Sequence, residues 1–217
     1  MRYSRVLLKV TGEALGGNGK IFNPEALEFL AQEIASVCHE VNLALVIGGG
    51  NIVRGRTLSL ELGTNPTTAD FMGMTGTIIN ALLARDYLER KGIETRVMTS
   101  IIANQLAEPY LFRRALRHWE RGRVLILAGG TGNAGVTTDT GAVFRASDLG
   151  AEIILKGTKV DGVYNEDPAE NPSARLISKL SHHDFLKQGL SKILDRTAVA
   201  QAEMKKLPIF VFNIFVA

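Results

Sequence analysis

Six short runs of largely apolar residues alternate with stretches of helical period, and this alternation leaves the chain few folds to adopt. The strand candidates are 6–10, 43–47, 95–98, 124–128, 152–155 and 209–212. Several are apolar at successive positions, as expected of parallel strands covered on both faces. Between and after them the spacing predicts helices over 24–41, 68–91, 108–121, 139–150, 182–188 and about 195–206. Asn23-Pro24 reads as a cap followed by proline at the first helical position, and Ser181 with Asp184 as a capping box. No linker, low-complexity tract or repeat interrupts the pattern. It therefore predicts one α/β domain with a mostly parallel sheet, and 217 residues suffice for a sizeable core. Helix 68–91 carries Phe71, Met72, Met74, Ile78, Ile79, Leu82 and Leu83 around its circumference. A helix apolar all round is buried on every side, either within the domain or against another subunit.

Charge and cysteine usage exclude several function classes. The 25 Lys and Arg against 22 Asp and Glu leave a net charge of +3. The densest basic stretch, Arg113, Arg114, Arg117, Arg121 and Arg123, lacks the aromatic interleaving of a nucleic-acid binder and reads as a solvated helix face. The single cysteine, Cys38, sits among apolar residues at helical spacing and reads as core packing. It forbids an intrachain disulfide and fits a reducing cytoplasm. The N-terminus opens directly onto a strand, so no signal peptide is expected. The uncharged run 71–84 is shorter than the about 20 residues a bilayer demands.

Glycine is the compositional anomaly, with 22 of 217 residues, about 10% against an average of about 7%. Twelve fall in three clusters, at 12, 16, 17 and 19, at 48, 49, 50 and 55, and at 129, 130, 132 and 135. Each cluster follows a strand candidate, where open α/β sheets place their ligands. Glycine lets backbone N–H groups approach an anion closely, and a following helix N-terminus adds a favourable dipole. Three such loops suggest more than one phosphate. No G-x-x-x-x-G-K-[ST] sequence occurs and no G-x-G-x-x-G follows the first strand, so neither a P-loop protein nor a Rossmann dehydrogenase is indicated.

Two charged residues stand out. Lys9 lies at the end of an apolar strand; it either reaches solvent there or supplies a point charge to phosphate. Asp139 follows two threonines; it is either a dipole-favoured helix-start aspartate or an anchor for cationic groups. His39, His118, His182 and His183 read as surface residues away from the glycine loops. The lack of a general base is compatible with phosphoryl transfer, which depends on positioning and charge stabilisation. An ionised phosphate acceptor needs no deprotonation.

These segments, taken together, resemble the bacterial-type uridylate kinases of the amino acid kinase superfamily. The matching stretches are 8–15 (LKVTGEAL), 48–55 (GGGNIVRG), 69–74 (ADFMGM), 130–133 (GTGN), 137–139 (TTD), 156–164 (KGTKVDGVY), Asp167-Pro168 and 207–213 (LPIFVFN). The resemblance implies a three-layer α/β/α fold and transfer of phosphoryl from ATP to UMP with Mg²⁺ carried on the ATP phosphates rather than by protein ligands. It implies a homohexamer activated by GTP and inhibited by UTP. By resemblance, Lys9, Arg54 and Asp139 are catalytic. Lys9, Val10, Thr11, Gly12, Gly50, Arg54, Thr158, Tyr164 and Asp167 meet ATP. Gly49, Asp70 and the segment Thr131, Gly132, Asn133, Ala134, Gly135, Val136, Thr137 and Thr138 meet UMP. Asp195 matches a late aspartate of the active-site region. Residues up to about 150 form mainly the acceptor side and oligomer contacts, and about 151–217 mainly the ATP side.

Read singly, Tyr164 could pack a loop, Asp167-Pro168 could start a turn and Thr158 could fill a strand end. Thr11 stands where serine is common in the family and keeps the hydroxyl. Ala134-Gly135-Val136 replaces an aromatic pair, which alters the pocket near the acceptor base. Relatives usually continue past 211–213 with a further strand, so the C-terminal end is expected to be short. Two alternatives remain: a superfamily kinase acting on a carboxylate or carbamate, and a non-catalytic nucleotide-binding regulatory or storage subunit.

Overall fold

The structure, a computed structural model, describes residues 2–17, 20–168, 170–190 and 193–215. Gly19 of the first glycine cluster, and Val216 and Ala217 of the apolar tail, lie outside the described residues. A central sheet holds seven strands in the order β4-β3-β5-β2-β1-β6-β9. They are β1 Arg5–Val10, β2 Asn42–Ile47, β3 Thr95–Thr99, β4 Glu108–Pro109, β5 Val124–Ala128, β6 Ile153–Thr158 and β9 Ile209–Asn213. Every pairing in this sheet is parallel. A separate antiparallel pair joins β7 Val163–Tyr164 to β8 Leu176–Ile177.

Alternate side chains of the strands enter two different cores, which explains their continuous apolar runs. Val6 and Val10 of β1, with Leu43, Leu45 and Ile47 of β2 and Val124 and Ile126 of β5, pack toward α1 Pro24–Val37 and α3 Pro66–Arg90. Leu7, Ala44, Val46, Leu125 and Leu127 face α4 Phe112–Glu120, α5 Thr138–Leu149 and α7 Arg196–Lys205. The result is three layers, α/β/α. A smaller cluster of Phe185, Leu194 and Val199 joins α6 His182–Gln188 to α7.

Chain order fixes where ligands can gather. The chain passes from β1 to β2 on one side, and β6 pairs on the other side of β1. The strand order reverses about β1, and the crevice beyond its carboxyl end is the switch point at which such sheets bind ligands. Because the strands are parallel, the loops after β1, β2, β5 and β6 share that edge.

Several element limits differ from the sequence expectation. Residues 108–109 form an edge strand, and Tyr110 N–H donates to Thr99 O at 2.8 Å, so α4 starts only at Phe112. Helix α2, Gly55–Leu62, was not anticipated. Its Leu60 and Leu62 are 74% and 72% exposed, so it carries no core-facing stripe to betray it. Helix α3 starts at Pro66 because the Asn65 side chain caps Thr67 N–H at 2.9 Å. It is not buried on every side: Phe71, Met72 and Ile79 are exposed while Met74 and Ile78 are buried. His118 is no surface residue, its ring lying between Glu108 and Arg123. Cys38 is buried, and burial raises its thiol pKa.

Leu7 is wholly buried at the centre of the sheet. Leu7→Ala should destabilise the fold by roughly 2–5 kcal/mol, whereas Leu62→Ala should change stability by less than about 0.5 kcal/mol. Urea unfolding midpoints of the two variants check the contrast.

Candidate active site

The three glycine loops meet at the switch point. The first begins at Thr11, whose N–H donates to Gly157 O at 3.3 Å, and tightens into a 3-10 turn at Gly12–Leu15. The second leaves β2 at Gly48, whose N–H donates to Val10 O at 3.0 Å. A side chain at Gly12 would run into Gly48 O and Asn51 Oδ1, so the first two loops can touch only because residue 12 is glycine. The third leaves β5 at Gly129, which adopts φ 74°, a left-handed conformation that L side chains rarely take. Val10 is a framework residue here: its side chain is fully buried in the core.

Helix α3 ties the loops together with two buried polar side chains. Asn80, fully buried, donates to Gly48 O at 2.6 Å and to Asn51 Oδ1 at 2.7 Å. Thr77 accepts the Gly129 N–H at 2.8 Å. Asn51 in turn donates to Ile21 O, just past the first loop, at 3.0 Å.

At the centre lies a buried ionic cluster. Lys9 of β1 and Lys156 of β6 are direct partners in the parallel register. Both reach Asp139 in the first turn of α5: Lys9 Nζ lies 2.8 Å from Asp139 Oδ1, and Lys156 Nζ pairs with Oδ2. Lys156 also donates to Ile193 O. Side-chain exposures of 11%, 7% and 12% for Lys9, Lys156 and Asp139 show that all three are withdrawn from water. Burial and the neighbouring Lys9 charge push the Lys156 ammonium down to about 8, against a pull upward from Asp139. For Asp139, burial raises the pKa, but Lys9 and Lys156 together outweigh it and hold the carboxyl below its ordinary value. Two ammonium groups facing one carboxylate leave positive charge in excess, beside the N-terminus of α5. That is a site for an anion.

Two cavities lie near this cluster. One of about 140 Å³ is lined by Gly49, Asp70, Met74, Gly130, Val136 and Thr138. Asp70 also accepts the Gly135 N–H at 2.6 Å, tying α3 to the third loop. The other, about 400 Å³, is lined by Thr158, Val160, Tyr164, Asp167, Leu190 and Ile193, among others. The structure thus gathers Gly49, Asp70, Val136 and Thr138 on one side and Thr158, Tyr164 and Asp167 on the other. Thr131, Gly132, Asn133 and Ala134 lie in the third loop, where Thr131 Oγ1 accepts the Asn133 N–H at 3.2 Å. Arg54 Nε donates to Gly50 O at 3.3 Å, and its guanidinium pairs with Glu13.

Sequence reasoning passed over four positioning or charged side chains here. Lys156 could have been flagged on the same ground as Lys9, a lysine in an apolar run (IILKG) just before a glycine. Glu13 is also paired with Lys159; nothing in its spacing signals this double contact. Thr77 and Asn80 look like ordinary polar positions in a helix. Asp195, noted only through resemblance, caps α7 by accepting Ala198 N–H at 2.8 Å and also accepts from the hydroxyls of Thr137 and Thr140.

Comparison with known proteins agrees with this architecture. The model of the amino acid kinase family matches residues 4–213. The chain belongs to the amino acid kinase family. It is 46% identical over 211 residues to the uridylate kinase of Aliarcobacter butzleri (strain RM4018), covering 96% of this chain and 89% of that protein. Among solved structures it resembles the UMP kinase of Bacillus anthracis, with a TM-score of 0.93 and 42% identity over 99% of this chain and 88% of that one. The UMP kinase of Ureaplasma parvum also gives 0.93, at 34% identity, covering 99% and 91%. The uridylate kinase of Archaeoglobus fulgidus gives 0.74 at 26%, covering 96% and 90%. The amino acid kinase fold thus accounts for the parallel sheet and for the placement of the strand-end loops.

Asp139→Asn would leave two buried lysines without a counter-charge. Folding stability should fall by roughly 3–5 kcal/mol at pH 7, as for other broken buried pairs. Lys156, already pushed down to about 8, loses the upward pull of Asp139 in this variant and holds its proton less tightly than the about 10.4 of an unfolded chain. The unfolded state then binds more protons, so stability rises with pH. Urea unfolding should therefore show a smaller deficit at pH 9 than at pH 7.

Proposed function

We propose that this chain is a UMP kinase, transferring the γ-phosphoryl group of ATP to UMP to give ADP and UDP. The observation that carries the reading is the Lys9–Asp139–Lys156 cluster, with its excess positive charge, near two cavities of different character. Relatives that the chain matches over most of its length are uridylate kinases. The larger cavity, with Tyr164 at one wall and apolar Val160, Leu190 and Ile193 around it, takes the adenosine of ATP. The smaller, beside Asp70, takes the acceptor; a carboxylate there can accept hydrogen bonds from ribose hydroxyls. The N-terminal part then serves mainly the acceptor, and about 151–217 mainly ATP.

An oxygen of the UMP phosphate attacks the γ-phosphorus as the bond to the β–γ bridging oxygen breaks, and the electron pair leaves with ADP. The acceptor phosphate has a second pKa of about 6, so it is already ionised at neutral pH and no base need remove a proton. Lys9 and Lys156 hold the transferring group, Asp139 keeps both ammonium groups aimed, and Arg54 adds a guanidinium fork for phosphate oxygens. Backbone N–H groups of Gly12 and Gly50, with the Thr11 hydroxyl, complete the cradle. Mg²⁺ fits as a passenger on the ATP phosphates: both Asp139 oxygens already face lysines, and among the described residues no group of three or more acidic, histidine or cysteine side chains could hold it. Bound with ATP, the metal would supply charge neutralisation on the phosphates.

The wider reading includes a homohexamer, GTP activation, UTP inhibition and a cytoplasmic location. Support for assembly comes from the exposed Phe71, Met72 and Ile79 on α3, which a second subunit would cover. Light scattering giving the mass of one chain would sink the assembly claim.

A coupled ADP-release assay with UMP, CMP, aspartate and acetylglutamate tests the substrate. Turnover with UMP supports the proposal; turnover with an amino acid and none with UMP overturns it. Lys9→Ala should lower kcat by about 10²–10³-fold while the UMP dissociation constant changes by only a few fold. Equal losses in both would remove Lys9 from the transition state. Lys156 titrates near 8 in the free protein, and losing its proton takes positive charge away from the phosphates. The kcat/KM for ATP should therefore fall above about pH 8 with a one-proton slope. In Lys156→Arg, where the guanidinium stays protonated, that limb should move beyond the measurable range; an unshifted limb would reassign it.

A further inference from the structure

The two most exposed cations of the phosphate cleft share one internal anion. Glu13 stands on the 3-10 turn directly after the first glycine loop, with its side chain only 20% exposed. Its Oε1 pairs with the Arg54 guanidinium and its Oε2 with the Lys159 ammonium. Arg54 is 61% and Lys159 59% exposed, in contrast to the buried Lys9 and Lys156. The three residues come from three strand ends: Glu13 after β1, Arg54 after β2 and Lys159 one residue past β6. Glu13 therefore bridges the acceptor side and the ATP side of the cleft, and it does so with the same charge type as the ligand both sides are built to receive.

Resting on the ATP-dependent reading above, we infer that Glu13 is an internal stand-in for phosphate. Its carboxylate holds Arg54 and Lys159 at the cleft mouth, and the polyphosphate of the nucleotide takes both cations over when it binds. Glu13 is thus a positioning residue that acts through Arg54 and Lys159. Competition follows from charge and geometry. Each cation can satisfy the carboxylate or the phosphate oxygens, and exposed ion pairs are weak enough to be exchanged. A triphosphate, with more charge than a diphosphate, displaces Glu13 more effectively. The device therefore weakens product ADP relative to ATP and aids its release. It also keeps two long cationic side chains ordered in the empty protein, which would otherwise lose that freedom on binding.

The sign of the effect sets this role apart from a direct ligand. Removing a residue that helps bind nucleotide weakens binding; removing a competitor tightens it. Each exposed pair is worth roughly a 1.4- to 5-fold change. Glu13→Gln, similar in size but uncharged, should therefore tighten ATP and ADP by about 3- to 10-fold, the gain being larger for ADP. Equilibrium dialysis with ATP or ADP and no UMP reads this directly, with thermal unfolding to verify the fold. Glu13→Asp, which keeps the charge, should lie between the parent and Glu13→Gln. A second series separates competition from plain repulsion of phosphate by a nearby carboxylate. In an Arg54→Gln, Lys159→Gln background, Glu13→Gln should alter affinity by less than about twofold. Tightening that persists there in full would reduce Glu13 to a source of repulsion and overturn the inference. Unchanged or weaker binding in the single variant would overturn it as well. A parent chain that binds no ATP would sink the kinase reading and this inference together; ATP binding without the tightening would sink this inference alone.

Discussion

The buried contact of Lys9 and Lys156 with Asp139 is the interaction on which the rest of the site depends. Two lysines in register on adjacent parallel strands point the same way at the same height. Without a carboxylate between them, their repulsion and desolvation would work against the β1–β6 pairing at the centre of the sheet. Asp139 removes part of that cost and leaves part. The remainder is a fixed positive potential in a poorly hydrated place, where charge acts more strongly than in water. A neutral apolar set of similar volume there would leave no such potential.

This dependence explains why helix α5 begins where it does. Thr137 caps it by accepting Thr140 N–H, and the cap sets Asp139 in the first turn. Asp195, at the start of α7, accepts from Thr137 and Thr140, so the N-termini of two helices are linked through one carboxylate. The anchoring aspartate is thereby referenced to both halves of the chain. Helix α3 performs the matching task from the opposite layer, with Asn80 holding the second glycine loop and Thr77 the third. Loops rich in glycine are poor at defining their own shape. Here their shape is imposed by buried hydrogen bonds from rigid elements on either side.

Much of this was legible in the sequence, for identifiable reasons. Strands buried on both faces read as continuous apolar runs, and β1, β2 and β5 lie within a residue or so of their expected limits. The glycine clusters marked the loops because close approach, as at Gly12, leaves no room for a side chain. Lys9 and Asp139 stood out because charge beside an apolar strand or at a helix start calls for a partner. What stayed hidden depends on pairing across the fold. Lys156 becomes meaningful only once β6 lies beside β1, and Thr77 and Asn80 only once α3 crosses the loop ends. Helix α2 and the two-residue strands β4, β7 and β8 are too short or too exposed to leave a periodic trace.

The cations of the cleft divide by burial, and on the proposed reading the division suits the demands of phosphoryl transfer. Lys9 and Lys156 are fixed by the sheet and by Asp139; charge that must meet a transition state gains from needing no rearrangement at that moment. Arg54 and Lys159 are long, exposed and paired with Glu13. They can follow a phosphate as it arrives and as it leaves. A cleft built wholly of the first kind would bind substrate and product alike and release neither readily, because excess uniform binding lowers KM without raising kcat. One built wholly of the second would lack a fixed point about which two nucleotides could be aligned. On the proposed reading, rigid charge at the floor and exchangeable charge at the mouth would let this sheet edge both align two phosphates and let them go.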